Sequence, residues 1–363
     1  LCSSLTLIYH GEIENIFDRP KIRISNVKQG QWVNETISSS GYEAALSYLF
    51  DWLEHLPKSY ILKAVGHRVV HGGTFFNGPT IITENAIQKI SSLIPLAPLH
   101  QPHNVALIKS IHRLYPKLLQ VACFDTSFHQ TQEKLAKLFA IPRELSAEGI
   151  IRYGFHGISY EYIASILPNS IKNKKVIVAH LGNGASMCAM HNGKSVATSM
   201  GFTALDGLMM GTRCGMIDPG IILYLIQEKK LTTQQVNVLL YQKSGLLGVS
   251  GISGDMRELQ SSKDVHALEA IDLFCYRAAG ELCALCNSLE GCDAIIFTAG
   301  IGEHSALIRK KIADRLAWLG VTIDENANKN NAEVISHYTS KIFVGIIPTN
   351  EEYMIAKHTM NMI

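Results

Sequence analysis

The sequence predicts an α/β protein of two domains. Short apolar runs of strand length alternate with helical patterns along the chain. At 363 residues there is room for two hydrophobic cores. With 47% hydrophobic and 18% charged residues the composition is that of a folded chain, which excludes extensive disorder. In order, strands are predicted over residues 61–70, 118–124, 176–180, 294–298 and 341–347. Helices are predicted over 102–114, 218–229, 232–243, 264–289, 305–319 and 351–360. The 218–229 helix has Asp218 as N-cap and Pro219 in its first turn. Residues 187–190 and 196–198 read as a hairpin, because Asn192-Gly193 suits a type I′ turn.

Charge excludes several functions. Lys plus Arg (33) against Asp plus Glu (31) leaves +2, so neither a nucleic-acid tail nor a membrane-surface patch is expected. No apolar run approaches the ~20 residues of a membrane span. The first residues carry no basic segment and no signal-type apolar core. The chain does not start with Met, and a true start further upstream is an expectation. The eight Cys are scattered in mostly apolar surroundings, which fits reduced thiols and a cytoplasmic protein. Cys283 and Cys286 form a C-x-x-C inside a helical pattern. With no second pair or local His at zinc spacing, they read as packed thiols.

A strand, a polar Gly turn and then hairpin strands, as over 176–198, form the opening of an actin-like (ribonuclease H-like) ATPase domain. Residues 3–11 read as the remains of a similar opening. The expected architecture is two domains of duplicated βββαβαβα type with a cleft between them. The first spans residues 1–125, completed by the C-terminal helix 351–363. The second spans 126–350 and, by the family resemblance given below, is expected to bind nucleotide.

Several segments have residues suited to chemistry. In VAHLGNGAS, Gly182, Asn183 and Gly184 either make a plain strand-to-strand turn or bring backbone N–H groups to phosphate oxygens. In FTAGIGEHS, a strand leads through Gly300-Ile301-Gly302 into a helix start, a tight turn or a nucleotide contact. In HRVVHGG, His67 and His71 share a strand face without a nearby carboxylate, which argues against zinc. Arg68 lies among apolar residues and calls for an anion, structural or substrate. Arg213, in the Gly-rich GLMMGTRCGMIDPG, is either an anion clamp or a surface residue. His156 in RYGFHG is structural or catalytic, Asp125 ends a strand in FDTSFH, and Glu351 and Glu352 open the last helix. Arginines, glycine turns and strand-end carboxylates together suit phosphoryl transfer to an anionic acceptor.

These strings, with PLAPLHQPHN, GVSGISGDMREL and PTNEE, occur in the order found in acetate kinases. From Ala64 onward the chain resembles that family, of the acetate and sugar kinase, Hsc70 and actin superfamily. The resemblance implies ATP plus acetate giving acetyl phosphate and ADP, with Mg²⁺ (or Mn²⁺), usually in a homodimer. It implies that Arg68 and Arg213 flank the phosphoryl and the acetate carboxylate. His156 and Asn183 would contact the phosphoryl, with His180 nearby. Glu351 would hold the metal, and Asp125 would support Arg213 or the metal. Gly182 and Gly184 would shape the phosphate turn. Asp255 and Arg257 would meet ribose and adenine, with Gly300, Ile301 and Gly302 under the nucleotide. Val70, Leu99 and Phe155 would line the methyl pocket.

The sequence also departs from the family. The opening loop Asn-x-Gly-Ser-Ser-Ser-Leu-Lys is reduced to Leu1-Cys2-Ser3-Ser4-Leu5-Thr6, so a fragment or a catalytically weak protein is expected. Ala204 replaces a Pro of the methyl pocket, Tyr160 a His one turn after His156, and His304 the Asn beside the adenine turn. The smaller Ala204 is expected to weaken the preference for acetate over propionate. The alternatives are a propionate kinase, and a nucleotide-binding protein with little or no turnover. A sugar kinase is a further reading, but it would leave Arg68 and Arg213 without an obvious partner.

Overall fold

A computed structural model describes residues 5–30 and 32–363. The shortened opening loop at residues 1–4 lies outside the described residues. The chain divides into two compact units. One holds the chain up to His71, Gly78–Cys123 and Glu352–Ile363. The other holds Gly72–Asn77 and Phe124–Glu351.

In the first unit, strands β1 (Tyr9–Glu14), β2 (Lys21–Asn26) and β3 (Trp32–Thr36) form an antiparallel sheet. Ile22 and Ile24 point from one face of β2 into a core with Ile37 and Ala45, the latter on helix Tyr42–Glu54. A second sheet has the order β4 (Ala64–Val69), β6 (Leu119–Phe124), β5 (Thr80–Ile81). On β4 the alternation turns His67 and Val69 inward and Arg68 outward. His67 Nε2 is 2.8 Å from Gln120 Oε1, and burial pushes its pKa down to about 4. The last helix, Glu351–Met360, lies on β4, where a Cβ at Gly66 would collide with Ile355 and Thr359.

The second unit is built on five strands. They are β7 (Lys175–Leu181), β8 (Ala185–His191), β9 (Lys194–Thr198), β10 (Ala294–Thr298) and β11 (Phe343–Ile346), in the spatial order β11-β10-β7-β8-β9. The first three are antiparallel neighbours, and β10 and β11 run parallel to β7. This is the βββαβαβ path expected from the sequence. The β8–β9 hairpin turns at Asn192 and Gly193 with φ of 52° and 69°, as type I′ requires. Helix Val265–Ser288, the last before β10, buries Ile271, Phe274 and Leu282 on its inner face. The predicted 305–319 helix is two pieces. An α-helix ends at Arg315, and a short 3₁₀ turn, Ala317–Leu319, runs into Gly320 at φ 88°. Helices Tyr42–Glu54, Glu84–Ser92 and Gly157–Ile166 and strands β1–β3 were not anticipated.

Candidate active site

Strands β7 and β10 are parallel neighbours, with His180 in register with Thr298. The chain therefore leaves both strands at the same end of the sheet, where open α/β sheets bind ligands. From β7 it enters the turn Gly182-Asn183-Gly184. From β10 it enters helix Ala299–His304. The Gly-x-Gly segment is thus inside a helix, not a turn before one. The sharp bend falls on Ala299, at φ 64°. Glu303 makes the bend possible, because its Oε1 accepts the Ala299 N–H at 2.7 Å and the Thr349 N–H at 3.1 Å.

Gly182, Asn183, Asp255, Arg257, Gly300, Ile301 and His304 line one cavity of about 530 Å³, a volume in the small-ligand range. Asp255 caps helix Met256–Ser261 and pairs with Arg257 Nη2 at 2.6 Å, which holds its carboxyl down to about 2. Ser305 Oγ donates to Gln260 Oε1 at 2.8 Å and joins the two walls. Gly302 is buried against Phe297, beneath this surface.

Beside the cavity, Asn183, His156, His180 and Arg213 come together. The Asn183 carbonyl accepts the Gly211 N–H at 3.0 Å, and only glycine at 211 leaves room for the Asn183 side chain. A Cβ on Gly184 would stand 2.7 Å from Arg213 Nη2 and 3.4 Å from His156 Nε2. Guanidinium and imidazole therefore meet over a bare backbone. Arg213 Nη1 donates to the Ala204 carbonyl at 2.6 Å, and burial lowers its pKa. His156 takes a left-handed φ of 57° as the N-cap of helix Gly157–Ile166. Its ring stacks on His180 at 4.3 Å between centroids. His180 Nδ1 lies 2.9 Å from Ser159 Oγ, which meets Thr349 Oγ1 at 2.8 Å.

Asp125 is buried at the end of β6, and its carbonyl accepts the Gly157 N–H at 2.8 Å, next to His156. Phe155 is buried, and its carbonyl faces His129 Nε2 at 3.0 Å. Burial pushes His129 down to about 4, so it acts as a neutral clamp on this loop. Sequence reasoning passed over both His129 and Glu303. The signal for Glu303 is a carboxylate four residues after the helix start, able to reach back to it.

Arg68, Val70 and Leu99 belong to the first unit and the other candidate residues to the second. The Val70 N–H donates to Asn104 Oδ1 at 3.1 Å, and Leu99 is partly exposed just before helix Gln101–Leu114. Glu351 opens the last helix half-buried. Among the described residues, no group of three or more His, Cys, Asp or Glu is set to hold a metal. One carboxylate fits Mg²⁺, which takes one or two carboxylates plus substrate phosphates. Cys286 hydrogen-bonds to Cys292 beyond its own helix, and that bond with burial raises the Cys292 pKa.

The second unit thus sets a cavity of small-ligand size beside a half-buried arginine at the end of an α/β sheet whose strands carry the actin-like order. The chain belongs to the acetokinase family, whose model matches residues 3–357. It is 50% identical over 364 residues to an acetate kinase of Rhodopseudomonas palustris (strain TIE-1), covering 98% of this chain and 91% of that protein. It is 45% identical over 357 residues to an acetate kinase of Rickettsia felis, covering 97% and 92%. Among solved structures, a propionate kinase from Francisella tularensis superposes with TM-score 0.92 at 39% identity, covering 98% of this chain and 93% of that one. The Porphyromonas gingivalis acetate kinase gives 0.89 at 34%, covering 98% and 93%. The chain is accordingly a phosphotransferase with a carboxyl group as acceptor.

Proposed function

We propose that this protein transfers the γ-phosphoryl of ATP to the carboxylate of acetate, reversibly, giving acetyl phosphate and ADP. The observation that carries this is the convergence of Arg213 and His156 on Gly184, beside the cavity lined by Asn183, Asp255 and Ile301. A carboxylate oxygen is already a nucleophile and needs no general base. Two anions must approach, so charge neutralisation and alignment decide the rate.

Arg213 meets the transferring phosphoryl group, and Arg68 the acceptor carboxylate. His156 donates a hydrogen bond to the phosphoryl oxygens, with His180 stacked behind it. Asn183 and the Gly182–Gly184 backbone hold the phosphates. Asp255 and Arg257 take ribose and adenine, over Gly300, Ile301, Gly302 and His304. Glu351 would hold Mg²⁺ or Mn²⁺, which would supply positive charge to the phosphates, and Asp125 supports this end of the site. By the family resemblance, Val70, Leu99, Phe155 and Ala204 are assigned to the methyl group of the acceptor. The first unit would serve the acyl group through Arg68, Val70 and Leu99, and the second the nucleotide; Gly72–Asn77, Asp125 and Glu351, expected in the first domain (1–125 with 351–363) rather than the second (126–350), lie in the second unit. A cytoplasmic homodimer is part of the proposal. Among the described residues no helix is long and apolar enough to cross a membrane.

The small Ala204 side chain, whose carbonyl fixes Arg213, favours propionate as a second acceptor. One methylene is worth about 1–3 kcal/mol in such pockets. Hydroxylamine trapping with ATP, Mg²⁺ and either acid tests both readings. Acetohydroxamate formed faster than propionohydroxamate supports the acetate reading. The reverse order makes propionate the substrate, and bound ATP with neither product makes the protein a nucleotide-binding module.

Gly184→Ala is expected to lower kcat by about 10-fold or more while the thermal melt stays near wild type. The added methyl displaces Arg213 Nη2, and misplaced groups lose alignment. Steady-state kinetics beside a circular-dichroism melt check it.

A further inference from the structure

Tyr160 lies on helix Gly157–Ile166, one turn beyond His156, and is fully buried. Its hydroxyl hydrogen-bonds to Ser186 Oγ. Ser186, on β8 and also fully buried, has its Oγ 2.8 Å from His156 Nδ1. The other ring nitrogen, Nε2, faces Gly184 beside Arg213.

We infer that the Tyr160–Ser186 pair fixes the tautomer of His156, leaving Nδ1 bare and the proton on Nε2. Proton counting gives the direction. A phenol has one proton to donate, and among the described residues the hydrogen-bond partner of the Tyr160 hydroxyl is Ser186. A buried donor left unmet is costly, so Tyr160 donates to Ser186. The single Ser186 proton then goes to Nδ1. The opposite polarity, Nδ1–H to Ser186 to Tyr160, would strand the phenolic proton in the core. Burial raises the Tyr160 pKa well above the usual phenol value, which keeps that proton in place.

Tyr160 and Ser186 are positioning residues: both are fully buried, and they act by making Nε2–H a donor. The catalytic consequence rests on the proposed phosphoryl transfer. The tautomer itself does not, which separates the two tests.

The test uses the full chain with ¹⁵N-labelled histidine, the His156 signals being assigned by their loss in His156→Gln. In the unliganded wild type, Nδ1 is expected to resonate as an unprotonated and Nε2 as a protonated nitrogen. In Tyr160→Phe the two signals shift toward a tautomer mixture. There kcat falls about 10-fold, the value of one hydrogen bond, while KM for ATP and acetate stays within about 2-fold. Ser186→Ala gives the same signature and covers the case in which the Phe variant folds poorly. A wild-type His156 protonated on Nδ1 would overturn the inference, as would signals unmoved in both variants. Correct signals in a chain that makes no acyl phosphate would uphold the tautomer and defeat the phosphoryl-transfer reading alone.

Discussion

Arg213→Ala is expected to lower kcat for acetyl phosphate formation about 10³-fold, the range in which positioned arginines act in phosphoryl transfer. The side chain is held by its own backbone environment. The Ala204 carbonyl takes Nη1, and Nη2 is left over the Gly184 turn next to His156 Nε2. Partial burial raises the electrostatic value of that charge, and the attack of one anion on another leaves neutralisation as the dominant requirement. Because the charge matters most as the phosphoryl moves, kcat falls more than KM rises. Arg213→Lys recovers only part of the rate, since a point charge lacks the planar fork. Free guanidine restores some turnover to the Ala variant. A kcat within about 10-fold of wild type would remove Arg213 from the reaction.

The second large effect concerns stability. Arg309 is fully buried, and its guanidinium is enclosed by acceptors. Nε and Nη2 donate to Asn328 Oδ1 and its carbonyl at 2.7 Å each. Nη1 donates to the carbonyls of Gly302 and Glu303 at 2.9 Å, and Nη2 also reaches Asn331 Oδ1 at 2.6 Å. The last carbonyls of helix Ala299–His304 are thereby satisfied from the core side. Arg309→Met fills similar space but leaves these acceptors unmet. It is expected to destabilise the second unit by about 3–5 kcal/mol, because several buried acceptors that Arg309 satisfies are left unmet at about 1–3 kcal/mol each. Urea unfolding followed by a probe in that unit reads the shift, and ATP affinity should weaken with it as the cavity wall loosens. A midpoint unchanged within experimental scatter would contradict the assignment.

Sequence patterns made the second unit readable and left much of the first obscure. Strands β7, β8 and β10 are buried on nearly every residue, so they appear as unbroken apolar runs. Asn192-Gly193 announced the hairpin, and Asp218-Pro219 the helix start. Strand β1 buries no residue fully, and its sequence, YHGEIE, carries no strong alternation. The site motifs were legible because glycine turns and loop arginines stand out. Their supports were not, because His129, Ser186 and Arg309 act across long sequence distances, and Glu303 joins its local Ala299 contact to the distant Thr349. The Gly300–Gly302 segment read as a turn because two glycines in three residues usually signal one. Glu303 and Arg309 instead stabilise a helix there.

The central claim is that a carboxylate oxygen of acetate attacks the γ-phosphorus of ATP. It is tested most directly by running the reaction with ¹⁸O-labelled acetate, ATP and Mg²⁺ and recording the ³¹P spectrum of the product. Direct attack predicts acetyl phosphate whose bridging oxygen carries the label, seen as an isotope-shifted phosphorus signal. Acetyl phosphate with no ¹⁸O bonded to phosphorus, or labelled acetate recovered unchanged while ATP is consumed, would contradict it.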